Sequence, residues 1–194
     1  LTLHDAWLLS GHCAHSLECE RWKTGCGRCP DLTLYPSIRR DATAYNWQRK
    51  QEIFAKSRLY VAAPSNWLMR KIQASIVAPA IVDARVIYNG VDLGIFHPTR
   101  TEASRSELHI PLEYRVILFV GERLKVNSWK GYDLLERAAH LITKTLPDQR
   151  ILFIALGEQA APIRIGNNEM IFFPYENDVH RVALFYQAAD LFLN

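Results

Sequence analysis

Three runs of consecutive apolar residues constrain this chain more than any other feature. Val116-Ile117-Leu118-Phe119-Val120, Ile151-Leu152-Phe153-Ile154-Ala155-Leu156 and Met170-Ile171-Phe172-Phe173 present no polar face. A strand without a polar face is buried on both sides. Between and after them, Leu134, Leu135, Ala138, Leu141 and Ile142 recur at helical spacing over 133–146, and Val182, Ala183, Tyr186 and Ala189 over 179–189. Residues 191–193 begin a further strand. Buried strands alternating with amphipathic helices predict an α/β fold built on a parallel sheet. Ligands of such sheets bind beyond the carboxyl ends of the strands, which places the loops after Val120, Leu156 and Phe173 at the candidate site.

The first half is less regular. Residues 1–3 read as the end of a strand, 59–63 and 85–88 as short strands, and 47–57 as a helix. Pro64-Ser65 opens another helix, with Ser65 as its N-cap. Residues 91–114, carrying Pro98 and Pro111, read as an interdomain link with one short helix over 102–108. The 194 residues suffice for one domain or two partial ones. Neither end reads as a natural terminus, so the chain is expected to be a piece cut at both ends.

At 49% apolar and 22% charged residues, the composition is that of an ordinary soluble globular protein. No window reaches the ~18 uninterrupted apolar residues of a membrane span. The net charge of +3 hides an asymmetry: residues 20–71 hold eleven Lys/Arg against four acids. That stretch could face phosphates, an anionic bilayer or nucleic acid, or form a solvated helical face.

The loop from Gly121 to Gly131 leaves a buried strand and enters a helix. Gly121 admits close backbone approach, and the following helix N-terminus favours negative charge. Arg123 offers a fork of donors and Lys130 a compact positive charge. Together they suit a diphosphate whose charge grows as it departs, although a basic surface loop would look the same.

Four cysteines, Cys13, Cys19, Cys26 and Cys29, follow a C-x5-C-x6-C-x2-C spacing within an irregular excursion over 11–45. The C-x2-C inside Gly25-Cys26-Gly27-Arg28-Cys29-Pro30 has the form of a zinc knuckle, and His12 and His15 flank Cys13. Structural zinc is the leading expectation. Disulfides, an iron–sulfur cluster and unligated thiols remain open. Four protein ligands would leave a metal no open position for catalysis.

Four segments in register resemble glycosyltransferase family 4. They are Pro64-Ser65-Asn66-Trp67-Leu68, the run from Val86 to Asp92 with Phe96 and Pro98, the Gly121…Arg123…Lys130-Gly131 loop, and Tyr186 to Leu193. The Cys-rich insertion is similar to that of a subgroup building surface polysaccharides. The resemblance implies a GT-B fold of two Rossmann-like domains, both incomplete here: residues 1–92 from the acceptor domain and 93–194 from the donor domain. It implies a retaining, hexosyltransferase-type enzyme of polysaccharide or glycolipid biosynthesis using a UDP- or GDP-sugar and a saccharide or lipid-linked acceptor. Gly121, Arg123, Lys130 and Gly131 would bind the donor diphosphate, and His4, oriented by Asp5, would position the sugar. Asn89, Gly90 and Asp92 would be architectural. No catalytic metal and no nucleic-acid partner are expected. The location implied is cytoplasmic, or peripheral at the inner face of the cell membrane. The family's paired-Glu donor motif, E-x7-E, does not occur in the chain, so this piece alone is expected to be inactive. Two rival readings are a zinc-knuckle nucleic-acid-binding module, stacking bases on Trp22, Trp47 and Trp67, and a non-catalytic protein that keeps the fold.

Overall fold

The computed structural model describes residues 1–127 and 130–193. The chain divides into two compact units, Leu1–Gly90 and Val91–Asn194.

The first unit is organised by two parallel strands, β1 (Leu59–Ala63) and β2 (Ile81–Val86), with Thr2 bridged in parallel to Ala62 on the other side of β1. Helix α1 (Thr43–Phe54) begins four residues before the apolar pattern predicts. The reason is Asp41, whose Oδ1 accepts from both the N–H and the hydroxyl of Thr43 and so starts the first turn early. Helix α2 (Asn66–Gln73) starts where Ser65 caps it, the Ser65 Oγ accepting from Leu68 N at 3.2 Å. Strand β2 starts at Ile81 rather than Arg85, because pairing with β1 extends back along the whole of that strand. Leu9, Ala63, Leu68, Ile72 and Val77 form the core with the rings of Trp22, Trp47 and Phe54. Trp47 Nε1 donates to Trp22 O at 2.9 Å, so the buried indole keeps its hydrogen bond.

The second unit is a five-stranded sheet in the order β5-β6-β4-β3-β7, where β3 is Arg115–Val120, β4 Ile151–Leu156, β5 Ile163–Ile165, β6 Asn168–Phe173 and β7 Leu191–Leu193. All neighbours are parallel except β5, which pairs antiparallel with β6 across the two-residue turn Gly166-Asn167. Side chains alternate between two cores. Ile117, Phe119, Ile151, Phe153 and Ala155 pack on helix α4 (Tyr132–Thr145), through Tyr132, Leu135 and Ala139. Val116, Leu118, Leu152, Ile154 and Leu156 pack on Phe185 and Ala188 of helix α5 (Val179–Ala188) and on Leu108 and Ile110, which follow helix α3 (Thr101–Glu107). All six residues of β4 are buried. This is a mixed α/β, Rossmann-like architecture, of which the chain carries part.

A charged group is built into that second core. Arg105 is only 5% exposed. Its guanidinium donates to Ala188 O at 2.9 Å, Tyr114 O at 3.0 Å and Asp190 Oδ2 at 2.7 Å. Asp190 Oδ2 also accepts from Val116 N. Partial burial opposes ionisation of Asp190, but the Val116 N–H and the Arg105 guanidinium outweigh it and hold the carboxyl below its ordinary 3.8. The folded value being depressed, this contribution to stability is complete above the unfolded value and is lost as pH falls through the folded one. Arg105→Ala strips a donor from four acceptors at once, Leu112 O at 3.4 Å being the fourth, and is expected to cost about 3 kcal/mol, read by urea unfolding at neutral pH. The cost should shrink when the same titration is run in acid below the Asp190 folded value; an equal cost there would remove the ion pair from the account.

Candidate functional site

The loop between β3 and α4 is held against the β4 edge by its backbone. Gly121 N donates to Leu156 O at 2.9 Å and Arg123 N to Gly157 O at 3.0 Å. Gly157 has φ +103°, and a Cβ there would sit 2.3 Å from Gly121 O. Only glycine permits the two loops to come so close. A Cβ on Gly121 would fall 2.5 Å from Leu124 Cδ2 and 3.1 Å from Lys130 Cδ, so the lysine stem lies across the bare backbone of Gly121. Leu124, 1% exposed, anchors the loop in the core. Lys125 N donates to Glu158 Oε2 at 3.0 Å, and Lys125 Nζ sits 4.6 Å from the Phe172 ring centroid.

With the loop fixed in this way, Arg123 adopts the left-handed φ of +53°, and Val126 N and Asn127 N donate to its carbonyl at 3.2 and 2.9 Å. Gly131 is the N-cap of α4 with φ +68°. Arg123 and Lys130 then line one pocket of about 500 Å³ together with Glu122, Val126 and Asn127. Both cations are exposed, and among the described residues neither forms an ion pair. Ser128 and Trp129, in the same loop, lie outside the described residues. The pocket sits at the carboxyl edge of a parallel sheet, carries two cations against one carboxylate and has room for a phosphate-sized ligand. Glu122 was not singled out by sequence reasoning, since its place between Gly121 and Arg123 does not reveal which way it points.

His4 belongs to the first unit. Leu3 N donates to Ala62 O at 2.9 Å, so the chain leaves the small sheet at its carboxyl edge with His4 exposed. Asp5 Oδ1 accepts from Trp7 N at 2.8 Å, closing a local turn, and among the described residues no hydrogen bond joins Asp5 to His4.

The Cys-rich excursion lies in the same unit. Among the described residues, its four thiols are free of disulfides, with Cys13 buried and the others half-buried. No three of the described His, Cys, Asp and Glu side chains stand close enough to hold a metal ion, a departure from the ready-made zinc knuckle expected of the spacing. Burial pushes the Cys26 and Cys29 thiols up.

Part of the basic surplus is structural. Lys50 Nζ donates to Trp7 O at 2.6 Å and Ser10 O at 2.9 Å and lies 3.9 Å from the Trp7 ring centroid. Burial lowers its pKa to about 8. Arg21 Nη1 donates to the carbonyls of Gly27 and Arg28. Trp22 and Trp47 are core residues, leaving only Trp67 of the three proposed stacking rings exposed, at 51%. The aromatic platform of the nucleic-acid reading is therefore largely unavailable to bases. Among the described residues, no helix is long and apolar enough to cross a membrane.

No family model matches the chain. It is 34% identical over 104 residues to a protein of Escherichia coli (strain K12) named as the colanic acid biosynthesis glycosyl transferase WcaC, covering 47% of this chain and 23% of that protein. It is 38% identical over 74 residues to the D-inositol 3-phosphate glycosyltransferases of Mycobacterium bovis (strain BCG / Pasteur 1173P2) and Mycobacterium tuberculosis (strain ATCC 25177 / H37Ra), covering 38% of this chain and 14% of each. The chain thus spans less than a quarter of the length of these relatives. Their shared naming supports a place among glycosyltransferases.

Proposed function

We propose that this chain is part of a retaining, hexosyltransferase-type glycosyltransferase of family 4. It takes a sugar from a UDP- or GDP-sugar to a hydroxyl on a saccharide or lipid-linked acceptor in polysaccharide or glycolipid synthesis. The carrying observation is that Arg123 and Lys130 line one pocket at the carboxyl edge of the second unit's sheet. Breaking the bond between the anomeric carbon and the donor's β-phosphate oxygen leaves a nucleoside diphosphate with one more negative charge to stabilise. A guanidinium can grip two of its oxygens and an ammonium a third, without moving at the moment of reaction. Gly121 and Gly131 let the backbone approach the same phosphates.

In this reading the second unit is the donor half and the first the acceptor half. His4 offers an imidazole to a sugar hydroxyl at the reacting centre. Exposed cations left over in residues 20–71 hold the enzyme peripherally to anionic lipid on the cytoplasmic side.

The test is donor binding and transfer by the full-length protein with UDP- and GDP-sugars. A full-length protein that binds neither would overturn the proposal. The 194-residue piece lacks an E-x7-E pair, and assayed alone it is expected to give no transfer above background; measurable turnover would show that the donor sugar is held by residues already within it.

A further inference from the structure

The segments leaving β3, β4 and β6 meet at the carboxyl edge of the second unit's sheet, and Glu158 joins them. Gly157 N and Glu158 N both donate to Phe173 O, at 2.8 and 3.0 Å, which ties the loop after β4 to the end of β6. The Glu158 carboxylate is divided between two loops. Its Oε1 accepts from Gln159 N at 3.2 Å, and its Oε2 accepts from Lys125 N at 3.0 Å, thirty-three positions back along the chain.

Residues 122–126, to which Lys125 belongs, form turns, with no helix or strand ladder to fix them. Val126 N and Asn127 N donate back to Arg123 O, and Lys130 N donates to Asn127 O at 2.9 Å. Lys125 stands in the middle of this arrangement. A bond to its amide therefore bears on the backbone of Arg123 on one side and, through Asn127, on that of Lys130 on the other.

Two observations set this bond apart from a local loop closure. Accepting from Gln159 N requires only a shorter side chain, whereas reaching Lys125 takes the full length of glutamate. The bond is also exposed, where exchange with water leaves a small net gain in stability. Leu124 in the core and the Gly121–Leu156 and Arg123–Gly157 backbone bonds already hold the loop to the sheet. What the carboxylate adds is a fix on the half of the loop that follows Arg123. Lys125 carries a second fix there, its Nζ lying 4.6 Å from the Phe172 ring centroid and 5.7 Å from that of Tyr132.

We propose that Glu158 is a positioning residue for transfer: through Lys125 N it sets the turn that presents Arg123 and Lys130 to the donor diphosphate. This role rests on the donor reading of the pocket. Among the described residues the pocket's walls are Glu122, Arg123, Val126, Asn127 and Lys130, so Glu158 acts through the loop backbone and not by touching the ligand. An ionised acceptor holds an amide more firmly than a neutral one. Cations that stabilise a departing diphosphate must already be in place when the bond breaks, and a misplacement of about 1 Å can lower a rate by about 10²-fold.

The test is the release of UDP or GDP by the full-length protein from a panel of UDP- and GDP-sugars, with thermal unfolding measured alongside. Because the other ties of the loop survive, Glu158→Ala is expected to lower kcat by about tenfold, with KM for the donor and the unfolding midpoint nearly unchanged. Glu158→Gln keeps an oxygen for Lys125 N and should stay within about threefold of the wild-type rate. Glu158→Asp, too short to reach Lys125, should match Glu158→Ala. In an Arg123→Ala background, Glu158→Ala should remove less than about threefold more, since there is no guanidinium left to position. A wild-type protein that turns over none of the panel, or an Arg123→Ala variant at the wild-type rate, would overturn the donor reading and this role with it. If Arg123→Ala is impaired, three results would each overturn the role of Glu158 alone: a wild-type kcat in Glu158→Ala, equal rates in Glu158→Asp and Glu158→Gln, or the whole loss repeated in the Arg123→Ala background. Should Glu158→Ala fold poorly, the comparison of Glu158→Gln with Glu158→Asp decides.

Discussion

Arg123→Ala in the full-length protein is expected to lower kcat by about 10²- to 10³-fold, with a much smaller change in KM. The argument is electrostatic and rests on the proposed function: the charge that Arg123 would meet grows between the bound donor and the transition state, so its loss would fall on the chemical step. The shared pocket makes Lys130 its partner. Lys130→Ala should behave alike, and the double variant should lose less than the product of the two single losses, because both cations act on one diphosphate. Arg164 serves as a control, being exposed on β5 and lining a different pocket with Arg150 and Glu169; Arg164→Ala should leave the rate unchanged. Steady-state kinetics with saturating donor decides the matter. A wild-type rate in the Arg123 variant would reduce the pocket to a basic corner of the surface.

Gly157→Ala is expected to destabilise the second unit by about 3 kcal/mol or more. Two penalties coincide there. A φ of +103° is outside what an L side chain adopts comfortably, and the added Cβ would meet Gly121 O at 2.3 Å. Relief would require parting the loops after β3 and β4, which breaks the Arg123 N–H bond to Gly157 O. Gly25→Ala isolates the first penalty, since Gly25 has φ +142° with nothing within 4 Å of its Cβ position; about 1 kcal/mol is expected. Urea unfolding of both variants compares them. Equal costs would mean that backbone conformation, and not the close approach, sets the requirement for glycine at 157.

The parts of the fold that were legible are those where burial on both faces writes itself into consecutive residues. Strands β3 and β4 are the clearest examples, and the loop leaving β3 could be placed at the sheet's carboxyl edge for that reason. Strand β5 was missed because three edge residues, Ile163-Arg164-Ile165, are too few to show a period. Its signal was the Gly166-Asn167 turn, with Gly166 at φ +61°. The early start of α1 was hidden because the turn that Asp41 closes onto Thr43 carries no hydrophobic pattern. At the site, the residue types of Arg123 and Lys130 were readable. The role of Gly157 was not, because it depends on a contact between loops thirty-six positions apart along the chain. Trp22 and Trp47 misled for a related reason: indoles amid basic residues look available, yet each fills the core of the first unit. Arg105 is the reverse case, a cation in a polar-looking helix whose partner, Asp190, lies at the far end of the sequence.

The alternation of β4 between two helical layers has a cost for length variation. One residue added between 151 and 156 would turn Phe153 and Ala155 toward α5 and present Ile154 to α4, exchanging the inventories of both layers. It would also slide Gly157 past Gly121, putting a bulkier neighbour at a spot that tolerates none. Insertions tolerated by this half of the molecule should therefore collect in the turn at Gly166-Asn167, leaving the distance from Ile151 to Gly157 invariant.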